Sequence, residues 1–422
     1  MSNTENTGNI GSKRKIMTDM IWSVSGLVLM NVTLQFMVYP FWEKKLGEDG
    51  LGNILYLLAL MNILAVSIGI SVNYARITAS NKGETKNTVY MLVMAVASAF
   101  SFGAAILIGF FGGVEMTLLE KLLFGVVMCA TMWRYYADVE YKLFLNYRSY
   151  FVYYLFISIG YGIGIGLFYL TGLWPLALLT GECFGLAFVL IRGKIFKPDG
   201  KAESSEVRAV IKISVLLFAA EAISTLIFNA DRIALKTVIN ETAVTNYYLA
   251  SLLGKTMALI TTPLNGVIVG YLAKYKGDLK FKLMNIITVA ALAVIALATV
   301  ACTVGSHILI PILYPDQFDN VKEYFVVTNL AQIFYFAANV ITVVLLRFAR
   351  SRYQIYVNIA YALAFCAICI PLAAAYGFGA FCTGLLITCF IRFFTAIALG
   401  YFSVISAKIK NKKTQQLGDD LL

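Results

Sequence analysis

Histidine is nearly missing from this chain: His307 is the only one, and the seven cysteines show no metal-ligand spacing with it. That leaves little for zinc or imidazole chemistry. Neither a Walker A pattern nor Gly-x-Ser-x-Gly occurs, which argues against ATP hydrolysis and serine-based acyl transfer by this chain. Charge is scarce as well, 14% of residues where soluble chains carry about a quarter. No stretch of domain size is polar enough to fold in water. A cleavable signal peptide is not expected, because Lys13-Arg-Lys15 leads into a full-length apolar run and not a short one with a small-residue cleavage site.

What is present is apolar surface. Hydrophobic residues make up 60% of the chain, in runs near the ~20 residues that cross a hydrocarbon core of roughly 30 Å. The pattern predicts twelve spans, at about 17–40, 50–75, 88–111, 117–141, 150–170, 173–191, 208–236, 244–272, 282–304, 321–346, 354–376 and 379–406. Cys129, Cys183, Cys302, Cys366, Cys369, Cys382 and Cys389 all fall inside them. Cys366-x-x-Cys369 therefore reads as small packing residues.

A net charge of +11 raises the question of nucleic acid, but the cations are confined to alternate loops. Lys13, Arg14 and Lys15 are followed by Arg76, Lys82 and Lys86, then by Lys142 and Arg148. The Arg192–Lys212 segment, Lys274–Lys282, Arg347–Arg352 and the tail from Lys408 continue the series. The opposite set holds only Lys44, Lys45, Lys121, Lys236 and Lys322. The positive-inside rule places the first set and both termini in the cytoplasm, with an even number of spans. The longest cytoplasmic loop, 193–207, divides an N-lobe at 13–192 from a C-lobe at 208–407, with 1–12 disordered and 408–422 a polar tail. External loops are short, the longest running from about Gly305 to Lys322.

The two halves share a design. Leu46-Gly-Glu-Asp-Gly-Leu-Gly-Asn53 aligns with Ile239-Asn-Glu-Thr-Ala-Val-Thr-Asn246, with Glu48 matching Glu241 and Asn53 matching Asn246. Each sits at a polar turn between two apolar helices. Internal repeats of this kind mark transporters.

Charges inside spans are costly and point to function. Counting 1.5 Å per residue puts Glu221 and Lys255 near the midplane, where an ion pair is expected, with Glu182 and Arg392 also near mid-depth. Arg134, Asp138 and Lys142 share one helical face, so Asp138 is offered a pairing with Arg134. Glu140 points elsewhere, toward a solvated role. Asp231-Arg232 lies near the outer end of span seven. Asn31, Gln35 and Asn62, with Asn329, Gln332, Asn339 and Tyr335, suit either a hydroxyl-rich ligand or interhelical hydrogen bonding. Pro263 interrupts span eight, as a hinge or a shaping kink.

Three stretches resemble the polysaccharide transporter (Wzx-type oligosaccharide flippase) family of the multidrug/oligosaccharidyl-lipid/polysaccharide (MOP) exporter superfamily. They are Lys15–Arg76, with Lys45-Leu-Gly-Glu-Asp-Gly-Leu-Gly52 and Gly69-Ile-Ser-Val-Asn-Tyr-Ala-Arg76; Trp133-Arg-Tyr-Tyr-Ala-Asp-Val-Glu-Tyr-Lys142 continuing to Arg148; and Asn229-Ala-Asp-Arg-Ile-Ala-Leu235 with Val244-Thr-Asn-Tyr-Tyr-Leu-Ala250. The resemblance implies an all-α integral membrane protein of the MATE-like fold, two six-helix lobes forming a V-shaped central cavity. It implies transport of polyprenyl-pyrophosphate-linked oligosaccharide to the outer leaflet of a bacterial or archaeal cytoplasmic membrane, for O-antigen or capsule assembly, alongside a polysaccharide polymerase. Arg76, Lys255 and Arg134 would attract the pyrophosphate, with Arg232, Arg392, Asn31, Gln35 and Asn62 completing the substrate set. Glu221 would couple transport to H+ or Na+, by titrating or by releasing Lys255, with Glu182 and Asp138 as further carboxylates. No cofactor or metal is implied.

The rivals are a drug/cation antiporter of the same superfamily, a peptidoglycan-precursor flippase, and, from another class, a membrane enzyme such as a glycan polymerase or acyltransferase. As many cations as acids at mid-depth counts against the first. Two missing helices count against the second, and short external loops against the third.

Overall fold

Apolar runs of membrane length leave the backbone few ways to satisfy its polar groups, and an internal helical ladder is the commonest. In the computed structural model, which describes residues 4–80, 86–259, 261, 265, 268, 279–348 and 352–419, helix follows helix and no strand occurs among those residues. The helices are α1 Thr4–Thr33, α2 Tyr39–Met61, α3 Ser67–Ser80, α4 Asn87–Phe111, α5 Leu118–Ala137, α6 Val139–Leu143, α7 Tyr147–Thr171, α8 Pro175–Arg192, α9 Ser204–Val238 and α10 Glu241–Thr256. Then come α11 Phe281–Leu313, α12 Phe325–Phe348, α13 Arg352–Ala364, α14 Ile370–Tyr376 and α15 Phe378–Asp419, with short helical turns between α11 and α12. Pro263 and the loop cations Lys82, Lys274, Lys276 and Arg350 lie outside the described residues.

Among the described residues, nine helical stretches are long and apolar enough to cross a membrane. One of them, Thr18–Ser80, is 63 residues long, about 95 Å if straight. It breaks at Gly47, whose φ of +76° is open to glycine without a Cβ penalty. The expected first and second spans lie on either side of that break. Two apolar helices stand outside the nine: α5, which carries Glu120, Lys121 and Arg134, and α10, 16 residues as described. Much of the apolar surface is uncovered by protein. Phe111 and Leu170 are 83% and 80% exposed, and in the most apolar window of α9 only 6% of residues are buried. Such surface suits lipid and not water, and the chain is a multi-pass membrane protein.

Caps account for where helices begin and end. Thr117 and Glu120 form a capping box at the start of α5, and Asn146 and Asn240 accept from backbone N–H groups at the starts of α7 and α10. Gly172, at φ +78°, closes α7, and Pro175 opens α8. The two stretches aligned as a repeat both open a helical run: Leu46–Asn53 straddles the Gly47 break, and Ile239–Asn246 contains the Asn240 cap.

The chain folds as two compact units, Met1–Ile233 and Ala234–Leu422. In the first, the most extensive packing joins α7 to α8. Small residues permit it: a Cβ on Gly160 would meet the Gly181 α-carbon at 2.7 Å, and one on Gly164 would meet the Ala177 carbonyl oxygen at 2.6 Å. In the second, α12 packs most extensively on α15, with α10 and α11 also against α12.

Candidate functional site

In the first unit, close α7–α8 packing and α5 beside α8 bring a buried polar cluster together. Arg134 on α5 pairs with Glu182 on α8, Nε to Oε2 2.5 Å, both side chains buried. Glu182 Oε1 accepts from Thr131 (3.2 Å) and Tyr161 (3.3 Å). The guanidinium lies 4.1 Å from the Tyr135 ring centroid and reaches the Met30 sulfur at 3.7 Å. The carboxylate partner of Arg134 is thus Glu182, 48 positions along the chain, and not Asp138 one helical turn away. Asp138 is held instead by two hydroxyls: Tyr150 donates to Oδ2 at 3.0 Å and Tyr154 at 3.2 Å.

The Glu140 side chain departs from its expected solvated role. It is buried and accepts the backbone N–H groups of Lys194 and Ile195, each at 3.0 Å, anchoring the loop after α8. Asp199 in the same loop accepts from the Asn87 and Thr88 N–H groups at the start of α4 (2.7 and 3.2 Å). Arg76 joins this anchorage. Its Nη1 donates to the Tyr136 hydroxyl at 2.5 Å and its Nη2 to Asn87 Oδ1, while Asn87 Nδ2 donates to the Lys194 and Lys197 carbonyls. Tyr90 lies 5.0 Å from the guanidinium. Two of its three nitrogens are therefore engaged, one with α5 and one through Asn87 with the loop after α8, a role that spacing alone did not suggest. Buried Nε has no hydrogen-bond partner among the described residues.

Asn31 and Gln35 are half-buried on α1 and the wider turn Leu34–Val38. Asn31 donates to the Leu27 carbonyl at 2.8 Å. Asn62 opens a second wide turn, Asn62–Val66, where its carbonyl accepts from Ser67 at 3.1 Å. Such π-type turns inside helices are frequent at functional sites, and both fall on residues expected to meet substrate. Glu221 is half-buried on α9; Arg232 is half-buried beside buried Asp231, whose Oδ1 accepts the Arg232 backbone N–H at 2.8 Å.

In the second unit, Lys255 lies half-buried with its Nζ 5.0 Å from the Tyr247 ring centroid. Asn329 and Gln332 take up the interhelical role. Asn329 Oδ1 accepts the Gly254 N–H at 2.7 Å, its Nδ2 donates to Ser306 at 3.2 Å, and Gln332 donates to the Tyr247 hydroxyl at 2.5 Å. They tie α10, α11 and α12 together. Arg392 on α15 is 5% exposed, donates to Asn339 on α12 and Asn358 on α13, and sits over the Tyr335 ring. No ion pair forms at Arg392 or Arg76 among the described residues. The cysteines are free, and no group of three or more potential metal ligands occurs among the described residues.

Known proteins share this architecture. An inward-facing multidrug resistance MATE family transporter of the MOP superfamily superposes with a TM-score of 0.64 at 12% identity, over 92% of this chain and 99% of the other. A MATE protein in a bent conformation gives 0.61 at 13% identity, over 94% and 96%. The Vibrio cholerae MATE transporter VcmN in its bent form gives 0.59 at 11%, over 94% and 98%. The fold is that of the MATE transporters. The family of polysaccharide biosynthesis proteins matches residues 145–323, less than half of the chain, which bears out the resemblance read from the sequence. No curated protein matches.

Proposed function

We propose that this chain is a flippase that carries polyprenyl-pyrophosphate-linked oligosaccharide from the cytoplasmic to the outer leaflet of a cytoplasmic membrane, by alternating access coupled to H+ or Na+. The observation that carries this reading is Arg392, a buried arginine with no ion-pair partner among the described residues. An arginine stays charged at any physiological pH, and an unneutralised guanidinium in a low-dielectric setting favours an anionic cargo. The match of residues 145–323 to polysaccharide biosynthesis proteins supports the same cargo class.

A cation antiporter needs buried carboxylates open to its drug. Here Glu182 is neutralised by Arg134, and Asp138 is held by Tyr150 and Tyr154. The similar multidrug structures share only 11–13% identity and carry the fold, not the cargo.

In this reading Lys255, Arg232 and Arg392 attract the anionic substrate, with Asn31, Gln35 and Asn62 beside the wide turns of the first unit. Arg134 joins them when Glu182 takes up a proton, because protonation removes the acid and leaves the guanidinium cationic. Asp138 and Glu221 are the other coupling candidates. The test is the leaflet accessibility of the lipid-linked glycan in cells with and without the protein. Depletion should trap it on the cytoplasmic face, and a Lys255→Ala copy should fail to release it. Glycan that crosses but stays unpolymerised outside would return the function to an assembly enzyme.

A further inference from the structure

Arg392 is the most isolated buried charge among the described side chains of the second unit. It lies 14 residues into α15, about 21 Å from the helix start, inside a hydrocarbon core of roughly 30 Å. Three helices converge on it. Tyr335 and Asn339, four apart, share a face of α12; Asn358 and Tyr361, three apart, share a face of α13. Its Nη2 donates to Asn339 Oδ1 at 2.7 Å and to Asn358 Oδ1 at 3.1 Å. The guanidinium carbon is 3.8 Å from the Tyr335 ring centroid and 5.2 Å from that of Tyr361, whose rings meet edge to face. The aromatic faces and the two amide oxygens thus occupy one face and one nitrogen of the group.

The other two nitrogens, Nε and Nη1, are buried and have no hydrogen-bond acceptor among the described residues. A guanidinium carries five N–H donors and cannot shed its charge. Buried donors on a charged group left without acceptors are rare and costly, so this site calls for a counter-anion. Among the described residues no second cation stands in the cluster, so its charge matches a monoanion and not a pyrophosphate. A planar carboxylate suits a planar guanidinium, and the surrounding tyrosine and asparagine groups suit sugar hydroxyls. Asn339 and Asn358 are half-buried.

We infer that Arg392, with Asn339 and Asn358, forms a carboxylate site that receives an acidic sugar residue of the transported glycan. This rests on the flippase reading for the origin of the sugar, whereas its test involves no transport step. Purified full-length protein in lipid nanodiscs is titrated with glucuronate, glucose and inorganic phosphate, with binding read by calorimetry and by thermal unfolding. Wild type should bind glucuronate saturably and ignore glucose, and Arg392→Gln should weaken glucuronate at least tenfold. Because Arg392→Gln could also fail to fold, Asn339→Asp provides the second arm. It places a carboxylate at the atom 2.7 Å from Nη2, so it should raise the unfolding temperature and abolish glucuronate binding. Phosphate bound as tightly as glucuronate would overturn the carboxylate assignment. So would absence of glucuronate binding to wild type, or undiminished binding to either variant. Any of these results can occur while leaflet accessibility still depends on the protein, so the two readings fail separately.

Discussion

Replacing Glu182 with glutamine removes the acid from the buried pair while preserving its shape. The amide oxygen can still accept from Tyr161 and Thr131, now 3.3 and 3.2 Å from Oε1, so the packing around α8 should survive. What is lost is the negative charge 2.5 Å from Arg134 Nε, with both side chains at or below 4% exposure. Breaking a buried pair by removing one partner costs about 3–5 kcal/mol, mainly because the surviving charge is left uncompensated. Retained hydrogen bonds and the Tyr135 face, 4.1 Å from the guanidinium, put Glu182→Gln at the lower end, about 3 kcal/mol. For a unit of this size each kcal/mol moves the midpoint by about 2–4 °C, so a drop of about 6–12 °C is expected.

Thermal unfolding of wild type, Glu182→Gln, Arg134→Met and the double variant in one lipid nanodisc preparation completes the cycle. The double variant should recover most of the loss, because replacing both charges leaves no buried ion, and the coupling should be about 3 kcal/mol. A Glu182→Gln shift below about 2 °C, or single losses that simply add in the double variant, would refute the argument that this pair neutralises a buried charge.

Glu140→Ala should cost about 2–4 kcal/mol by leaving the Lys194 and Ile195 N–H groups without their acceptor; faster proteolysis within 193–203 reports it, and an unchanged digestion rate would contradict it. Gly160→Val should cost at least about 1–3 kcal/mol by forcing α7 from α8, while Gly162→Ala, with nothing within 4 Å of the added Cβ, should raise the unfolding midpoint slightly, by the ~0.5–1 kcal/mol that alanine gains over glycine in a helix. With His307 the sole histidine, a transport pH dependence near neutrality that survives His307→Gln belongs to a carboxylate. Its loss in that variant would remove Glu182, Asp138 and Glu221 as its source.

The helical class was legible in the sequence because lipid leaves the backbone few alternatives, and the run lengths follow from bilayer thickness. The repeat was legible too: Leu46–Asn53 and Ile239–Asn246 carry turn residues, and each opens a helical run. Counting 1.5 Å per residue put Glu221, Lys255, Glu182 and Arg392 near mid-depth and so singled them out as costly.

Partners were a different matter. Periodicity offered Arg134 the nearby Asp138, but a helical face says nothing about which helix lies against it. Close packing at Gly160 and Gly164 brings α8 against α7, and α5 packs on α8 so that Glu182 reaches Arg134. Asp138 meets Tyr150 and Tyr154 across the turn into α7. Arg76 read as a substrate ligand through the family resemblance; in the fold it bonds Tyr136 on α5 and Asn87, which holds the loop after α8. Sequence by itself determined which charges fall inside apolar runs of membrane length, since that is a property of a single stretch. Only the tertiary structure decided which charges are paired and which, like Arg392, have no ion-pair partner among the described residues, because that depends on the rotation and neighbours of each helix.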